Sequence, residues 1–209
     1  MTGYAELAVT TNFSFLRGAS HAEELVQRAS ALGLGAIGVA DRNTLAGVVR
    51  AHVAARAAGV KLLVGARLAP EDGPEIVAYP IDRTAYGRLS RLLSEGKLRA
   101  DKGKCRILME DILASSEGLL LIVLPPETLT PAFRDALERV ARSAPGRTWL
   151  GARYTYCGRN RERLGRLAEL SDETGAPMVA LNDVLYHAPE RRPLQDVMTC
   201  IREHCTLDS

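Results

Sequence analysis

Short apolar stretches alternate with longer amphipathic stretches along most of the chain. Strands show as short apolar runs, whereas helices show apolar positions three and four residues apart. The pattern predicts seven strands: Tyr4–Thr10, Ala36–Ala40, Val60–Leu68, Glu75–Tyr79, Leu119–Leu124, Arg147–Tyr154 and Pro177–Leu181. It predicts seven helices: Ser20–Leu32, Thr44–Ala58, Arg83–Ser94, Glu110–Leu113, Pro131–Ser143, Arg159–Thr174 and Pro189–Ile201. This alternation is typical of an α/β protein with a largely parallel sheet.

Local signals refine this pattern. The sequence Ser20-His21-Ala22-Glu23 predicts a capping box, in which Ser20 caps the first helix and Glu23 bonds back to it. The polar, basic stretch Lys97–Arg106 predicts a loop, which we interpret as an insertion and not as a domain boundary. Seven strands fit either a doubly wound sheet or a short, distorted barrel. In both folds the chemistry lies at the carboxyl ends of the strands.

Charged residues mark several of these predicted strand ends. Asp41 and Arg42 follow the second strand, Arg67 lies near the end of the third, and Asp183 follows the last. The sequence contains no G-x-G-x-x-G, Walker A loop, nucleophile elbow or H-E-x-x-H motif. These strand ends are therefore candidate site positions without a motif that assigns their chemistry.

Composition excludes several classes of protein. The chain has 209 residues, of which 46% are hydrophobic and 25% charged, as in ordinary globular domains. Its longest apolar run, residues 118–126, is too short to span a membrane, and no signal-peptide pattern follows Met1. We therefore expect a cytoplasmic protein without a membrane partner. The net charge of +2 does not by itself indicate a nucleic-acid partner.

The cysteines favour reduced thiols in a cytosolic protein. They show neither a CxxC motif nor the spacing of a disulfide framework, and they are Cys105, Cys157, Cys200 and Cys205. A zinc site could be formed by Cys200, Cys205, His187 and His204, although zinc ligands usually have closer paired spacings.

Several ordered segments resemble one enzyme family. They are residues 4–7 (YAEL), 12–21 (NFSFLRGASH), 86–93 (YGRLSRLL), 96–99 (GKLR), 182–187 (NDVLYH), 191–197 (RRPLQDV) and 199–204 (TCIREH). Together these segments resemble the start of bacterial error-prone DNA polymerases, which are C-family relatives of the DNA polymerase III alpha subunit. The resemblance extends over nearly the whole chain.

The resemblance implies a polymerase-and-histidinol-phosphatase (PHP) domain, whose fold is a distorted seven-stranded β/α barrel related to the TIM barrel. We expect this barrel over residues 1–187, with residues 188–209 forming a C-terminal helix or tail that leads to the polymerase domains. The parent protein would be a DNA-directed DNA polymerase, a nucleotidyltransferase that acts in translesion replication and the repair of damaged DNA. Its expected partners are its own remaining domains and, through the full-length protein, DNA and other mutagenic-repair proteins.

The resemblance also identifies the positions that bind metal in other PHP domains. They correspond here to Ala8, Thr10, Asp41, Arg42, Arg67, Asp183 and Leu185, and only the two aspartates keep a ligand-capable side chain. A metal cluster needs several anionic or imidazole ligands, and a guanidinium repels a cation. We therefore expect no metal, cofactor or catalytic residue in this chain, and an ion pair joining Arg42 or Arg67 to Asp41 or Asp183. Magnesium is expected only in the polymerase domain, because the chain has no D-x-D pair.

The sequence thus predicts a non-catalytic PHP-like scaffold, with two alternatives. One is a metal-dependent PHP phosphoesterase or 3′–5′ exonuclease that uses ligands outside the aligned positions. The other is a stand-alone nucleic-acid-binding barrel, for which the candidate contacts are Lys97, Arg99, Lys102, Lys104 and Arg106.

The last predicted helix carries an apolar stripe. Its members recur with helical spacing and are Leu194, Val197, Met198 and Ile201. We expect this stripe to pack partly on polymerase sequence outside the 209 residues.

Overall fold

The computed structural model describes residues 3–154 and 158–207. Its strands are β1 (Ala5–Val9), β2 (Ala36–Arg42), β3 (Lys61–Leu68), β4 (Ile76–Pro80), β5 (Leu119–Val123), β6 (Thr148–Arg153) and β7 (Met178–Leu181). Its helices are α1 (Ala22–Ala31), α2 (Val48–Ala58), α3 (Arg83–Leu98), α4 (Met109–Ala114), α5 (Pro131–Ser143), α6 (Asn160–Thr174) and α7 (Arg192–Glu203). A 3₁₀ turn at Pro189–Arg191 precedes α7. The predicted α/β class is confirmed.

The chain divides into two compact units. The first contains the residues up to Ala66 and those from Asp183 onward, and the second is Arg67–Asn182. The boundary predicted after residue 187 stays a prediction. Nowhere in the described ranges is a helix both long and apolar enough for a membrane span.

The core of the first unit forms around β1 and β2. These strands pair in parallel, with Ala5 opposite Ala36 and a shift in register between Glu6 and Val9. Nearly all of β2 is buried, as expected for a parallel strand covered on both faces. On its other edge, β1 forms a parallel bridge between Val9 and Val184.

The second unit contains one antiparallel strand pair and two parallel pairs. Strand β4 runs antiparallel to β5 in a five-residue register from Ile76 opposite Val123 to Pro80 opposite Leu119. Strands β5, β6 and β7 pair in parallel in chain order. The antiparallel pair is an exception within the largely parallel arrangement that the sequence predicts.

The predicted capping box of α1 is wrong by one residue. The helix begins at Ala22, and the backbone N–H of His21 donates to Glu24 at 2.8 Å. Ser20 is not the cap because its hydroxyl lies 2.8 Å from His187 Nδ1 and also accepts the His187 backbone N–H at 3.0 Å. A tertiary hydrogen bond therefore takes the place of a local one.

Two other helix ends that differ from prediction each lie at or near a glycine. Helix α3 continues to Leu98, so the predicted loop is shorter, and the Arg106 N–H donates to the Gly96 carbonyl oxygen at 2.8 Å. Helix α2 begins at Val48, four residues later than predicted, directly after Gly47.

Candidate functional site

Asp41 is the centre of the candidate site in the first unit. Its side chain lies near the end of β2 and the residue is only 1% exposed. Oδ1 accepts hydrogen bonds from the Thr11 N–H at 2.8 Å and from the Ser14 hydroxyl at 2.7 Å. Oδ2 accepts a hydrogen bond from the Thr11 hydroxyl at 2.8 Å. Both carboxylate oxygens are therefore engaged by the segment that follows β1.

The same two hydroxyl groups link this segment further to itself and to β2. The Thr11 hydroxyl oxygen accepts the Phe13 N–H at 3.1 Å, and the Ser14 hydroxyl oxygen accepts the Arg42 N–H at 2.9 Å. Ser14 thus donates to one residue of β2 and accepts from the next. We call Thr11, Ser14 and Asp41 the hydroxyl clamp.

Gly47 closes the space beside the hydroxyl clamp. A Cβ atom at this position would lie 2.6 Å from Asp41 Oδ2, 2.9 Å from Thr11 Oγ1 and 3.2 Å from a Phe13 ring carbon. The first two distances are shorter than real Cβ contacts and the third is tighter than most, so only glycine fits without displacement. The backbone φ of Gly47 is −75°, so the requirement is for space and not for an unusual backbone conformation.

The hydroxyl clamp was missed in the sequence interpretation. Thr11 and Ser14 had no assigned role, although Ser14 lies within one of the segments that carry the family resemblance. A buried carboxylate needs donors, and two hydroxyl residues just after the neighbouring strand are the available signal. Nothing in the sequence singles out Gly47.

The other predicted metal positions of the first unit lie along β1 and the segment that bridges to it. Ala8 is fully buried, and its carbonyl oxygen accepts the Val184 N–H at 2.9 Å. Thr10 is 2% exposed, its N–H donates to the Val184 carbonyl at 2.9 Å, and its hydroxyl has no hydrogen-bond partner among the described residues. Asp183 adopts the left-handed conformation with φ 54°, while the Leu185 carbonyl accepts the Ala19 N–H at 2.8 Å.

The two arginines at predicted metal positions belong to different units. The Arg42 backbone contacts Ser14, as described above. Arg67 belongs to the second unit, where its Nη1 lies 3.5 Å from Glu75 Oε2. The predicted ion pair of either arginine with Asp41 or Asp183 stays a prediction.

Within residues 3–154 and 158–207, no group of three or more His, Cys, Asp or Glu side chains is arranged to hold a metal ion. At the end of α7 the Cys205 N–H donates to the Cys200 carbonyl oxygen at 3.1 Å, and burial is the largest of the effects that raise the pKa of the Cys200 thiol. Cys157 lies outside the described residues, and the expected absence of metal stays a prediction.

Three of the five candidate nucleic-acid contacts form ion pairs with carboxylates. Arg99 Nη1 donates to both oxygens of Asp111 at 2.8 Å, and this contact is the main cause that holds the Asp111 pKa below its usual range. Lys104 lies 3.2 Å from Asp101 and Arg106 lies 3.1 Å from Glu71. The remaining two, Lys97 and Lys102, are exposed. Nucleic-acid binding by this segment stays a prediction.

A second polar cluster of the first unit joins the start of α1 to the segment before α7. Glu24 accepts hydrogen bonds from the His21 N–H and from the Arg191 guanidinium, and His187 Nδ1 lies 3.8 Å from Glu24. Burial alone would raise the pKa of Glu24, but these donors outweigh it and lower that pKa. The cluster fixes the chain leading into α7.

The sequence matches one protein family and longer polymerases. The PHP domain family matches residues 6–138, more than half of the chain. The error-prone DNA polymerase of Caulobacter vibrioides is 56% identical over 205 residues, which are 98% of this chain and 19% of that protein. The error-prone DNA polymerase of Rhodopseudomonas palustris is 51% identical over 211 residues, again 98% and 19%. The chain thus spans about a fifth of the length of these relatives.

Two solved structures share the fold. One is a provisionally named metal-dependent phosphoesterase of Bifidobacterium adolescentis, with TM-score 0.66, 16% identity and coverage of 90% of this chain and 89% of that one. The other is an amidohydrolase of Chromobacterium violaceum solved with bound sulfate and no metal, with TM-score 0.68, 14% identity and coverage of 87% of each chain. The predicted fold class, a seven-stranded β/α barrel of the PHP kind, is confirmed. From its fold and its sequence match, the chain belongs to the PHP domain family.

Proposed function

We propose that this chain is a non-catalytic PHP domain that acts as a structural scaffold within an error-prone DNA polymerase. The identity of 51–56% to two such polymerases supports the assignment to this kind of protein. The hydroxyl clamp is the single observation that carries the non-catalytic part of the proposal.

The hydroxyl clamp leaves Asp41 poorly suited to bind a cation. Oδ1 of Asp41 accepts two hydrogen bonds and Oδ2 accepts one, so about three of the four acceptor positions of the carboxylate are already occupied by N–H and O–H donors. Gly47 packs so closely against Oδ2 that not even a methyl group fits between them. The residues present in this unit therefore do not fit the metal cluster of a PHP phosphoesterase.

The neighbouring positions support the same proposal. Ala8 and Leu185 have no donor atom in their side chains, and a threonine hydroxyl such as that of Thr10 is a poor ligand without other strong ligands beside it. Arg42, the residue that follows Asp41 in β2, carries a fixed positive charge that disfavours a nearby cation. In our proposal, hydrogen bonds to Asp41 hold the strand ends that a metal ion holds in catalytic relatives.

DNA synthesis, with its magnesium ions, belongs in this proposal to polypeptide outside the 209 residues. The same is true of contacts with damaged DNA and with other mutagenic-repair proteins, and of a cytoplasmic location. The scaffold would support those activities by packing on the polymerase domains.

Hydrolysis assays with the purified chain test the non-catalytic part. The chain is incubated with Mn²⁺ or Zn²⁺ and either p-nitrophenyl phosphate or a 3′-labelled DNA strand, and the bound metal is measured after desalting. We expect no hydrolysis above that of the matched Asp41→Asn variant and no stoichiometric metal. Hydrolysis that Asp41→Asn abolishes, or two tightly bound ions per chain, would contradict the proposal.

The stand-alone nucleic-acid-binding alternative has less support. Three of its five candidate contacts, Arg99, Lys104 and Arg106, already face carboxylates. A binding titration of the purified chain with DNA at two salt concentrations separates the alternatives, because phosphate contacts give a steep dependence on salt.

A further inference from the structure

Phe15 is highly exposed on a segment whose backbone is held at several points. The residue is 82% exposed, although the Ser14 hydroxyl next to it is bound to buried Asp41. The Ser14 carbonyl accepts the Arg17 N–H at 2.9 Å, and the Leu16 carbonyl accepts Arg202 Nη1 at 2.9 Å. The exposure of the aromatic ring is therefore built into the fold and does not come from a loose loop.

Helix α7, which supplies Arg202, has the reverse of the usual distribution of polar and apolar residues. Its one buried residue is a glutamine, Gln195, at 6% exposure. Leu194, Val197 and Ile201 are 43%, 41% and 55% exposed. A surface helix normally buries its apolar face and exposes its polar residues. The apolar face of α7 is therefore only partly covered by the described residues of this unit.

A shallow groove joins the exposed phenylalanine to the apolar face of α7. It has a volume of about 280 Å³, and the side chains that line it include Phe15, Leu16, Leu194 and Met198. His21 and Arg191 also line the groove, and Arg191 forms an ion pair with Glu24. Apolar side chains accompanied by polar ones are characteristic of protein-binding surfaces.

We propose that these apolar residues form a docking face for a segment of the same polymerase polypeptide outside the 209 residues. The docking face consists of Phe15, Leu16, Leu194, Val197, Met198 and Ile201. The proposal rests on the proposed function, because it takes the longer polypeptide from the polymerases that this chain resembles. The occupant is a helix or loop whose apolar side chains fill the groove beside Phe15.

The length of the relatives favours this occupant over a second copy of the chain. The Caulobacter polymerase matches 98% of this chain with only 19% of its own length, so four-fifths of that polypeptide lies outside the match. A tethered segment is present at a high effective concentration, so even a small face can bind it. A stable interface between separate molecules usually needs about 20–30 residues on each side, far more than these six.

Cysteine labelling tests whether the longer polypeptide covers the docking face. Ile201→Cys is placed on the face, and Val49→Cys on α2 is the matched control because Val49 is 72% exposed. Cys200 and Cys205 are replaced by alanine in both variants. Maleimide labelling is followed by peptide mass spectrometry in the 209-residue chain and in the Caulobacter polymerase carrying this chain in place of its matching 205 residues.

We expect Ile201→Cys to react about tenfold more slowly in the polymerase than in the isolated chain, as for a site open about a tenth of the time. Val49→Cys should react at similar rates in both. Equal rates for Ile201→Cys would overturn the proposal. Slow labelling in the isolated chain together with a dimer in sedimentation would assign the face to a second copy, which also overturns it.

If the hybrid polymerase does not fold, the same comparison is made between the unaltered Caulobacter polymerase and its own matching region, with cysteine at the position aligned to Ile201.

Failure of the docking-face proposal can be distinguished from failure of the proposed function. Metal-dependent hydrolysis by the isolated chain would refute the non-catalytic scaffold and leave the labelling rates unchanged.

Discussion

Asp41 in the first unit and Asp111 in the second hold the chain together in different ways. Asp41 is 1% exposed and accepts hydrogen bonds from Thr11 and Ser14. Asp111, whose side chain is 21% exposed, accepts hydrogen bonds from the Leu108 N–H and from Arg99, whose own side chain is 47% exposed. When the Asp111 carboxylate is removed, water can accept hydrogen bonds from its former donors, whereas water cannot reach the buried donors of Asp41. The same side chain should therefore contribute very differently to stability at the two sites.

The largest expected effect is that of Asp41→Ala. The substitution leaves two hydroxyl groups and a backbone N–H without their acceptor in a buried site, which costs about 3–5 kcal/mol of unfolding free energy. Urea unfolding followed by circular dichroism measures the loss. The control Asp41→Asn keeps the shape and one acceptor oxygen, so it should lose about 1–2 kcal/mol. Equal stability of Asp41→Ala and the parent chain would show that the hydroxyl clamp is dispensable.

A smaller loss is expected for Gly47→Ala. The added methyl group would lie 2.6 Å from Asp41 Oδ2, and the shift needed to relieve this contact costs about 1–3 kcal/mol. Gly87→Ala on α3 is the matched control, because a Cβ atom there has no neighbour within 4 Å. That control should be neutral or more stable by up to about 1 kcal/mol, since alanine favours helix. A Gly47→Ala chain as stable as the parent would contradict the close packing at Asp41.

The substitution Asp111→Asn should lower the free energy of unfolding by a still smaller amount, about 0.5–1 kcal/mol at neutral pH. The lowered pKa of Asp111 means that its ionised form is favoured in the folded chain. Its contribution is therefore complete above the ordinary carboxyl pKa and is lost as the pH falls through the lower value of the folded state. The stability difference between the parent and Asp111→Asn should shrink as the pH is lowered from about 5 to 2. A difference that grows on acidification would contradict the assigned ion pair.

The smallest expected effect is the change that salt makes to these losses of stability, and it separates exposed from buried sites. About 1 M NaCl should reduce the loss caused by Asp111→Asn by a few tenths of a kcal/mol, because exposed charges are screened. The loss caused by Asp41→Ala should change less, since its hydrogen bonds are buried. Parallel urea titrations at low and high salt measure both quantities. If the two losses of stability depended equally on salt, the distinction between a buried and an exposed aspartate would be contradicted.

Elements with strong local signals were predictable from the sequence. Helix α5 was predicted with its observed bounds because Pro131 favours the first position of a helix. The structure adds a cap at Thr130, whose hydroxyl accepts the Phe133 N–H. The seven strands were also located, because each is a compact apolar run. In these places local preference and tertiary packing favour the same structure.

The features that were missed depend on residues far apart in the sequence. Ser20 is recruited by His187, so the cap of α1 moves to His21. Asp41 was recognised as a site position, but its partners Thr11 and Ser14 were not. Two hydroxyl residues after the neighbouring strand suggest donors for a buried carboxylate, but they do not specify the loop conformation that brings them to it. Sequence patterns identify positions along an element better than they identify contacts between elements.

The link between Ser20 and His187 has a consequence for how the chain folds during synthesis. These residues are 167 positions apart, and the bridge from Val9 to Val184 spans a similar distance. Contacts this distant in sequence form slowly, because the loop between them must first be closed. On a ribosome, β1 therefore keeps one edge unpaired until Val184 has been made. An open strand edge is a site for mispairing with other chains, so this edge of β1 is exposed to aggregation while the residues between Val9 and Val184 are synthesised.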